Sequence, residues 1–362
     1  MPTLKEQFEA IHLSSRQFDD QICETTIDGC GSFCDTCVAK ISGTCRGCTH
    51  CDFFNNCPSD SCGKCHIRCG QHATLPNWIE DVEGLDLAHV NCSTPFNDKL
   101  PFFMPQIRDT SFGVQHDAFF ISFSRFLRIV DGDVKWLYRK KKTLREAYNI
   151  PDTTKMILHF YAKDDLLELI WRFQDMDWGN GKNLWQVFAE YGFDAAVSVN
   201  YSCFANQPRM EHVLNVKRNI LSAQALAQAG IPVILDLMWH SDVDLERLLS
   251  WGDANKISWY SLNFQTLRKG NWAKELILSS LAKVFKIVPN ARIIANGISE
   301  ESRIKEVVAT FGDKVSISNF GAFMKACSGL IYDESAGKWV KSSRTKAECW
   351  NHVSQTYIKW GQ

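Results

Sequence analysis

Gly230-Ile-Pro-Val-Ile-Leu-Asp-Leu-Met-Trp239 is an apolar, β-branched run entered from the helical pattern Arg209–Ala229 and left, through His240, into a second helical pattern, Val243–Ser250. A run that is apolar on both phases belongs to a strand covered on both faces, and such strands sit in parallel sheets whose crossover helices lie outside. Gly230 marks the stop of the preceding helix. The one polar residue within the run, Asp236, is costly to bury without a purpose.

The same order repeats outward in both directions. Candidate strands are Met156–Ala162, Ala195–Asn200, Val233–Trp239, Ile257–Leu262, Arg292–Gly297 and Val315–Asn319. Helical patterns fill the intervals: Asp165–Phe173, Arg209–Ala229, Val243–Ser250, Ala273–Ile287 closed by Pro289, and Glu300–Phe311 closed by Gly312. Strands alternating with helices imply a parallel sheet. Phe102–Ile107 or Ile121–Arg125 adds one or two strands and brings the count close to that of a (β/α) TIM-like barrel, complete or incomplete, with an open doubly wound sheet as the rival. After Gly321 the pattern predicts a helix and a hairpin.

The chain of 362 residues is 45% hydrophobic and 22% charged, which excludes disorder and collagen. Forty Lys and Arg against 41 Asp and Glu leave a net charge of -1, so a surface for polyanions must come from local clustering. No apolar run is long enough to span a bilayer, and the opening MPTLKEQFEA is too polar for a signal peptide; the expected location is cytoplasmic.

Cysteine divides the chain in two. Of 15 cysteines, 11 fall between Cys23 and Cys69. That stretch has almost no aliphatic residues, so coordination must replace a hydrophobic core. The expected organisation is a cysteine-rich module over residues 1–75, opened by a short helix with Leu4, Phe8 and Ile11 on one side, and a barrel over 76–362. Candidate ligands are Cys23, then Cys30, Cys34 and Cys37, then Cys45, Cys48, Cys51 and Cys57, then Cys62, Cys65 and Cys69, with His50, His66 and His72 interspersed. Two-residue spacing points two thiolates at one metal; closely packed triplets with a Cys-Pro favour [4Fe–4S] ligation, and Zn2+ is the alternative. No organic cofactor is expected. Cys30, Cys34 and Cys37 also have the spacing of radical S-adenosylmethionine enzymes, but they precede the barrel instead of following its first strand.

Parallel barrels gather chemistry where strands end. The strand ends read here are His159, Tyr161 and Asp164; Asn200 and Ser202; Asp236, Trp239 and His240; Asn263 and Gln265; Asn296; and Asn319. Amides supply donor and acceptor together and suit the edges of a nucleobase or sugar, while Asp236 and Asp164 supply a pair for acid–base or nucleophilic work. For a single Asn, the competing explanation is a turn or helix-cap residue. Lys135, Arg139, Lys140, Lys141, Lys142 and Arg145, with Trp136 and Tyr138 interleaved, form a basic and aromatic stretch suited to phosphates and bases, to which Arg209, Lys217 and Arg218 add charge. A solvated face explains the same charges equally well.

From Met156 to Trp239 the chain resembles a domain family of unknown function found in phages and mobile elements, through His159-Phe-Tyr161 with Asp164, Glu168 and Trp171, Ser198-Val-Asn-Tyr-Ser202 leading to Pro208, Asn215 with Arg218-Asn219, and Gly230-Ile231. In that family an Asp stands where this chain has Asn200 and an Asn where it has Asp236. More loosely, a barrel with strand-end aspartates, a cysteine metal site and a basic surface resembles the tRNA-guanine transglycosylases and the bacteriophage replication inhibition DNA glycosylase family. These resemblances imply an enzyme acting on the N-glycosidic bond of DNA, with RNA second and modified phage DNA as one target in antiphage defence, the target base being flipped among the amides. The alternatives are radical S-adenosylmethionine chemistry and a non-enzymatic metal-containing nucleic-acid-binding protein.

Overall fold

The computed structural model describes residues 75–362 apart from 108–115, 131–132, 137–143, 149, 179, 204–208, 266 and 268–270. The cysteine ligands from Cys23 to Cys69 and the basic residues Arg139, Lys140, Lys141 and Lys142 lie outside the described residues.

Eight strands close into a parallel barrel: β1 Phe103–Ile107, β2 Ala118–Ser122, β5 Lys155–His159, β6 Ala195–Val197, β7 Val233–Asp236, β8 Trp259–Asn263, β9 Arg292–Asn296 and β10 Val315–Asn319, with β10 pairing back onto β1. The barrel is therefore complete, and both optional strands of the sequence reading are present. Between β2 and β5 lies an antiparallel hairpin, β3 Leu127–Val130 with β4 Asp133–Trp136, so Lys135 stands on a hairpin strand. A second hairpin, β11 Leu330–Asp333 with β12 Lys338–Lys341, lies near the C-terminus.

Helices in chain order are α1 Leu75–Asp81, α2 Leu144–Tyr148, α3 Asp164–Phe173, α4 Leu184–Ala189, α5 Arg209–Gln228, α6 Asp242–Ala254, α7 Asn271–Ile287, α8 Glu301–Phe311, α9 Gly321–Cys327 and α10 Lys346–Trp360. The short α4, absent from the sequence reading, is fixed by a capping box in which Asn183 and Gln186 satisfy each other's backbone N–H groups.

Strand alternation sorts the side chains into two layers. Met104, Ala118, Phe120, Ile157, Ala195, Val197, Ile234, Trp259 and Ile294 fill the barrel, with Phe96 and Leu100 closing its floor. The opposite phase, including Phe119, Leu158, Val233, Leu235, Tyr260, Ile293 and Ile317, packs outward against the helices. The floor is tied in place where the Phe96 N–H donates to the Val233 carbonyl and the Val233 N–H donates to the Thr94 carbonyl (3.0 and 2.9 Å).

Helix α5 is buried nearly all round because Val82 and Leu85 cover the side that faces away from the barrel. Its charges are consequently internal. Arg218, 1% exposed, donates to both Glu168 oxygens (2.8 and 2.9 Å) and to Asn215 Oδ1 (3.0 Å), with Tyr201 and Trp171 against its guanidinium (3.9 and 4.8 Å to the ring centres). Arg145 is consumed similarly, donating to the Pro151 and Thr154 carbonyls and to Asp194. Arg145 and Arg218, expected to bind phosphates, thus serve the fold. No helix among the described residues is long and apolar enough to cross a membrane.

Removing one partner of a fully buried, hydrogen-bonded ion pair costs about 3–5 kcal/mol, and with Glu168 34% exposed the cost here is reduced to about 2 kcal/mol. Arg218→Ala is expected to lower the unfolding free energy by that amount in chemical denaturation; a change below about 1 kcal/mol would show that the pair does not hold α5 to α3.

Candidate functional site

The inward phase turns polar toward the C-terminal ends of the strands. Gln106 on β1, His159 on β5, Asp236 on β7, Ser261 and Asn263 on β8, Asn296 on β9 and Ser318 on β10 occupy it, and Tyr161 and Asn200 reach in from just beyond β5 and β6. Register keeps neighbours level: Asp236 pairs with Ser261, Asn263 with Asn296, and Asn296 with Ser318.

Asp236 is the centre of the first half of this cluster and has no solvent exposure. Its Oδ1 accepts from the Tyr161 hydroxyl (2.9 Å) and its Oδ2 from Asn200 Nδ2 (2.6 Å). The Tyr161 hydroxyl also lies 2.5 Å from Ser261 Oγ, which reaches the Ile294 carbonyl at 3.4 Å. Burial pushes the Asp236 carboxyl up to about 7, and the Asn200 and Tyr161 hydrogen bonds oppose that rise. Tyr161 moves well above its ordinary value because it is buried and faces the Asp236 charge. Burial holds His159 down at about 3, so its ring is neutral; its Nδ1 accepts from the Tyr161 N–H (3.3 Å), which places the ring proton on Nε2.

Helix α5 clamps this acid from behind. The Asp236 N–H donates to Ser198 Oγ (2.8 Å), Ser198 Oγ–H donates to Asn219 Oδ1 (2.5 Å), and Asn219 Nδ2 donates to the Asp236 carbonyl (2.8 Å). The peptide groups on both sides of Asp236 are thereby fixed.

The second half is a chain of amides. The backbone N–H of Gln265 donates to Asn263 Oδ1 (3.1 Å), and this group cannot be turned over. Asn296 Nδ2 donates to the same oxygen (3.1 Å), Gln106 Nε2 donates to Asn296 Oδ1, and Gln265 Nε2 donates to Gln106 Oε1 (3.2 Å). One backbone N–H therefore sets the direction of every amide, an assignment that ordinarily rests on the network alone. Among the described residues the chain leaves a donor, Asn263 Nδ2, and an acceptor, Gln265 Oε1, at its two ends.

Gly297 makes this packing possible. Its φ is +91°, and a Cβ there would lie 2.5 Å from the Gln265 nitrogen and 2.6 Å from its Cα. Gln106, Ser261 and Ser318 were missed in the sequence. The phase of Phe102–Ile107 puts Gln106 on the inward face with the other amides, and the alternation that selects Asn263 also selects Ser261.

Other expected residues lie apart from this cluster. Asn319 points outward, donating to the Ile298 carbonyl (2.9 Å) and accepting from the Ala322 N–H (2.9 Å) at the start of α9, which is the helix-cap explanation. Asp164 is exposed at the start of α3 and accepts from the Ser202 hydroxyl (2.7 Å). His240 is exposed and stacks on the buried His212 of α5 at 4.1 Å, and Trp239 is half-buried against the outer core. A groove of about 890 Å³ between residues 85–91 and α6 shares no lining residue with the strand-end cluster.

No protein-family model matches the chain, and no curated protein matches it in sequence. Among solved structures it is similar to a double mutant of flavocytochrome b2 with sulfite bound, at 12% identity over 76% of this chain and 70% of that one, with a TM-score of 0.39. An arginine-to-lysine mutant of flavocytochrome b2 (11%, 76% and 68%, TM-score 0.38) and a double mutant with pyruvate bound (10%, 76% and 70%, TM-score 0.37) are similar to the same extent. At this level the likeness is one of barrel architecture. Two expectations are corrected. Asp236 is sealed while Asp164 stands in solvent, so the two carboxylates expected to act together are not brought together; the N-glycosidic reading, including action on phage DNA, does not hold. The expectation of Zn2+ or an iron–sulfur cluster is corrected for the described residues, among which no metal-holding group of His, Cys, Asp and Glu occurs; the cysteines expected to ligate it lie outside them.

Gly297→Ala is expected to cost roughly 2 kcal/mol of stability through strain at a left-handed position and collision with Gln265. Thermal unfolding reads this cost, and an unshifted midpoint would mean that the β9 turn yields freely.

Proposed function

We propose that the chain is an enzyme that moves a proton to or from a small polar substrate at the C-terminal mouth of the barrel, with Asp236 as the proton-exchanging group. The observation that carries this reading is a fully buried carboxyl whose two oxygens are both hydrogen-bonded and whose acidity lies near neutrality. A group with a pKa near the working pH both gives and takes protons.

Tyr161 connects Asp236 to the mouth. The substrate takes the Tyr161 hydroxyl proton, the neutral Asp236 carboxyl passes its own proton to the Tyr161 oxygen, and Asp236 is left as a carboxylate. Deprotonation of a substrate runs the same transfers in reverse. The raised Tyr161 hydroxyl stays a phenol throughout, so charge resides on Asp236 alone. Ser261 accepts from or donates to Tyr161 as the direction of the chain reverses. Asn200 Nδ2 donates to Asp236 in either state.

The test is the titration of Asp236 by carboxyl-carbon NMR. A midpoint near 7 is expected, rising further in Tyr161→Phe because a donor to the carboxylate is lost. A midpoint below 5 overturns the proposal, as does solvent-proton exchange into a turned-over substrate that persists in Asp236→Asn.

The same group imprints a signature on folding. An acid whose pKa is higher folded than unfolded keeps its proton longer in the fold, so stability falls as pH rises from the ordinary value of 3.8 to about 7. Asn at position 236 accepts from Asn200 and donates to Tyr161 as the neutral acid does. Asp236→Asn should therefore match the parent at pH 4 and exceed it at pH 8, by up to about 4 kcal/mol in denaturant unfolding. Equal stabilities at pH 8 would show that the carboxylate is accommodated without penalty.

A further inference from the structure

The amide chain ends in one donor and one acceptor whose polarity is fixed by the Gln265 backbone N–H. A second observation lies beside it. Ser318 has no solvent exposure, stands level with Asn296, and its Oγ has no hydrogen-bond partner among the described residues. Its neighbour Ile317 packs in the outer core, so Ser318 faces the barrel interior. A buried hydroxyl without a partner is costly and marks a place where a polar group is missing.

We propose that Gln106, Asn263, Gln265, Asn296 and Ser318 form a recognition subsite for an uncharged ring amide, the cis –CO–NH– edge of a lactam or cyclic imide. The ring carbonyl accepts from Asn263 Nδ2, the ring N–H donates to Gln265 Oε1, and Ser318 Oγ supplies a third contact. This inference rests on the reading of the mouth as the substrate site.

Charge and polarity select this class. Asp236 is the ionisable carboxyl of the cluster, His159 is neutral, and no Lys or Arg of the described residues enters it. An anion would face Asp236 without a compensating cation, and a cation would face the Asn263 donor. Hydroxyl groups can act as donor or acceptor and gain nothing from a fixed direction, whereas a ring amide has its donor and acceptor fixed on adjacent atoms.

The experiment is ligand-observed NMR on the full chain with δ-valerolactam, N-methyl-δ-valerolactam, uracil and myo-inositol at millimolar concentration. δ-Valerolactam, uracil or both are expected to bind; δ-valerolactam alone points to a free lactam and uracil alone to a nucleobase, and each result supports the shared edge. N-methylation, which removes the donor, should weaken lactam binding at least tenfold on the unmodified protein. Asn263→Asp keeps the oxygen that Gln265 and Asn296 address, turns the ligand-facing donor into an acceptor, and should weaken binding at least tenfold. Ser318→Ala should weaken it severalfold. No binding of either ring amide, equal binding of the N-methyl lactam, or binding of myo-inositol alone overturns the inference. A failure of ring-amide binding leaves the proton-transfer reading standing or falling on the Asp236 titration alone.

Discussion

The hydrogen bond from Asn219 on α5 to the Asp236 carbonyl, with Ser198 completing the clamp, is the contact on which the site depends. A carboxyl at the end of a strand with no water around it would swing out to solvent unless its backbone were fixed, because burial of the charged form is opposed by several kcal/mol. The clamp removes that escape. It also explains why α5 carries polar residues on its barrel side: Asn219 and Ser222 address the ends of β6 and β7, and Arg218, one position away, is neutralised by Glu168. The polar face of the longest described barrel helix is part of the site's support.

Two distinct chemistries meet at the C-terminal ends of neighbouring strands because strand register puts them there. Asp236 pairs with Ser261, and two residues along β8 Asn263 pairs with Asn296. The acid half is a short relay of hydroxyls, each able to reverse direction. The amide half has a single permitted direction, set by a backbone group and by the approach of Gln265 to Gly297. Reversibility suits proton transfer and fixed polarity suits recognition.

The barrel was legible because its strands are apolar on both phases and its helices have clear stops; every candidate strand of the sequence reading overlaps an observed one. Asp236, Asn200, Asn263 and Asn296 were legible for a related reason, since a polar residue at the end of an apolar run has few places to go but the mouth. Asn319 shares that sequence signature and fails, because its phase points outward to α9 and the same amide serves as a cap. Gln106 was lost with β1, an optional strand whose end was never followed into the site. Arg145 and Arg218 show the limit of counting charge along a sequence: the helix of Arg218 is covered on its outer side by Val82 and Leu85, far away in the chain, Arg145 is taken up by two carbonyls and Asp194, and each candidate phosphate contact becomes a structural ion pair. Residue spacing does not reveal such covering.

The assignment of charge within the pocket links the two halves. Tyr161 is raised well above its ordinary value, His159 is lowered to about 3, and Asp236 alone changes state near neutrality. The cluster therefore alternates between neutral and singly negative. In the neutral state Asp236 donates toward Tyr161, and Tyr161 can point its proton at Ser261; in the charged state both Tyr161 and Asn200 turn toward the carboxylate. An acid in such a setting works on a bound molecule only if that molecule does not itself bring a charge that pins Asp236 in one state. A neutral partner held by amides leaves the acid free to alternate, which is the physical reason for an uncharged recognition half beside a titrating one.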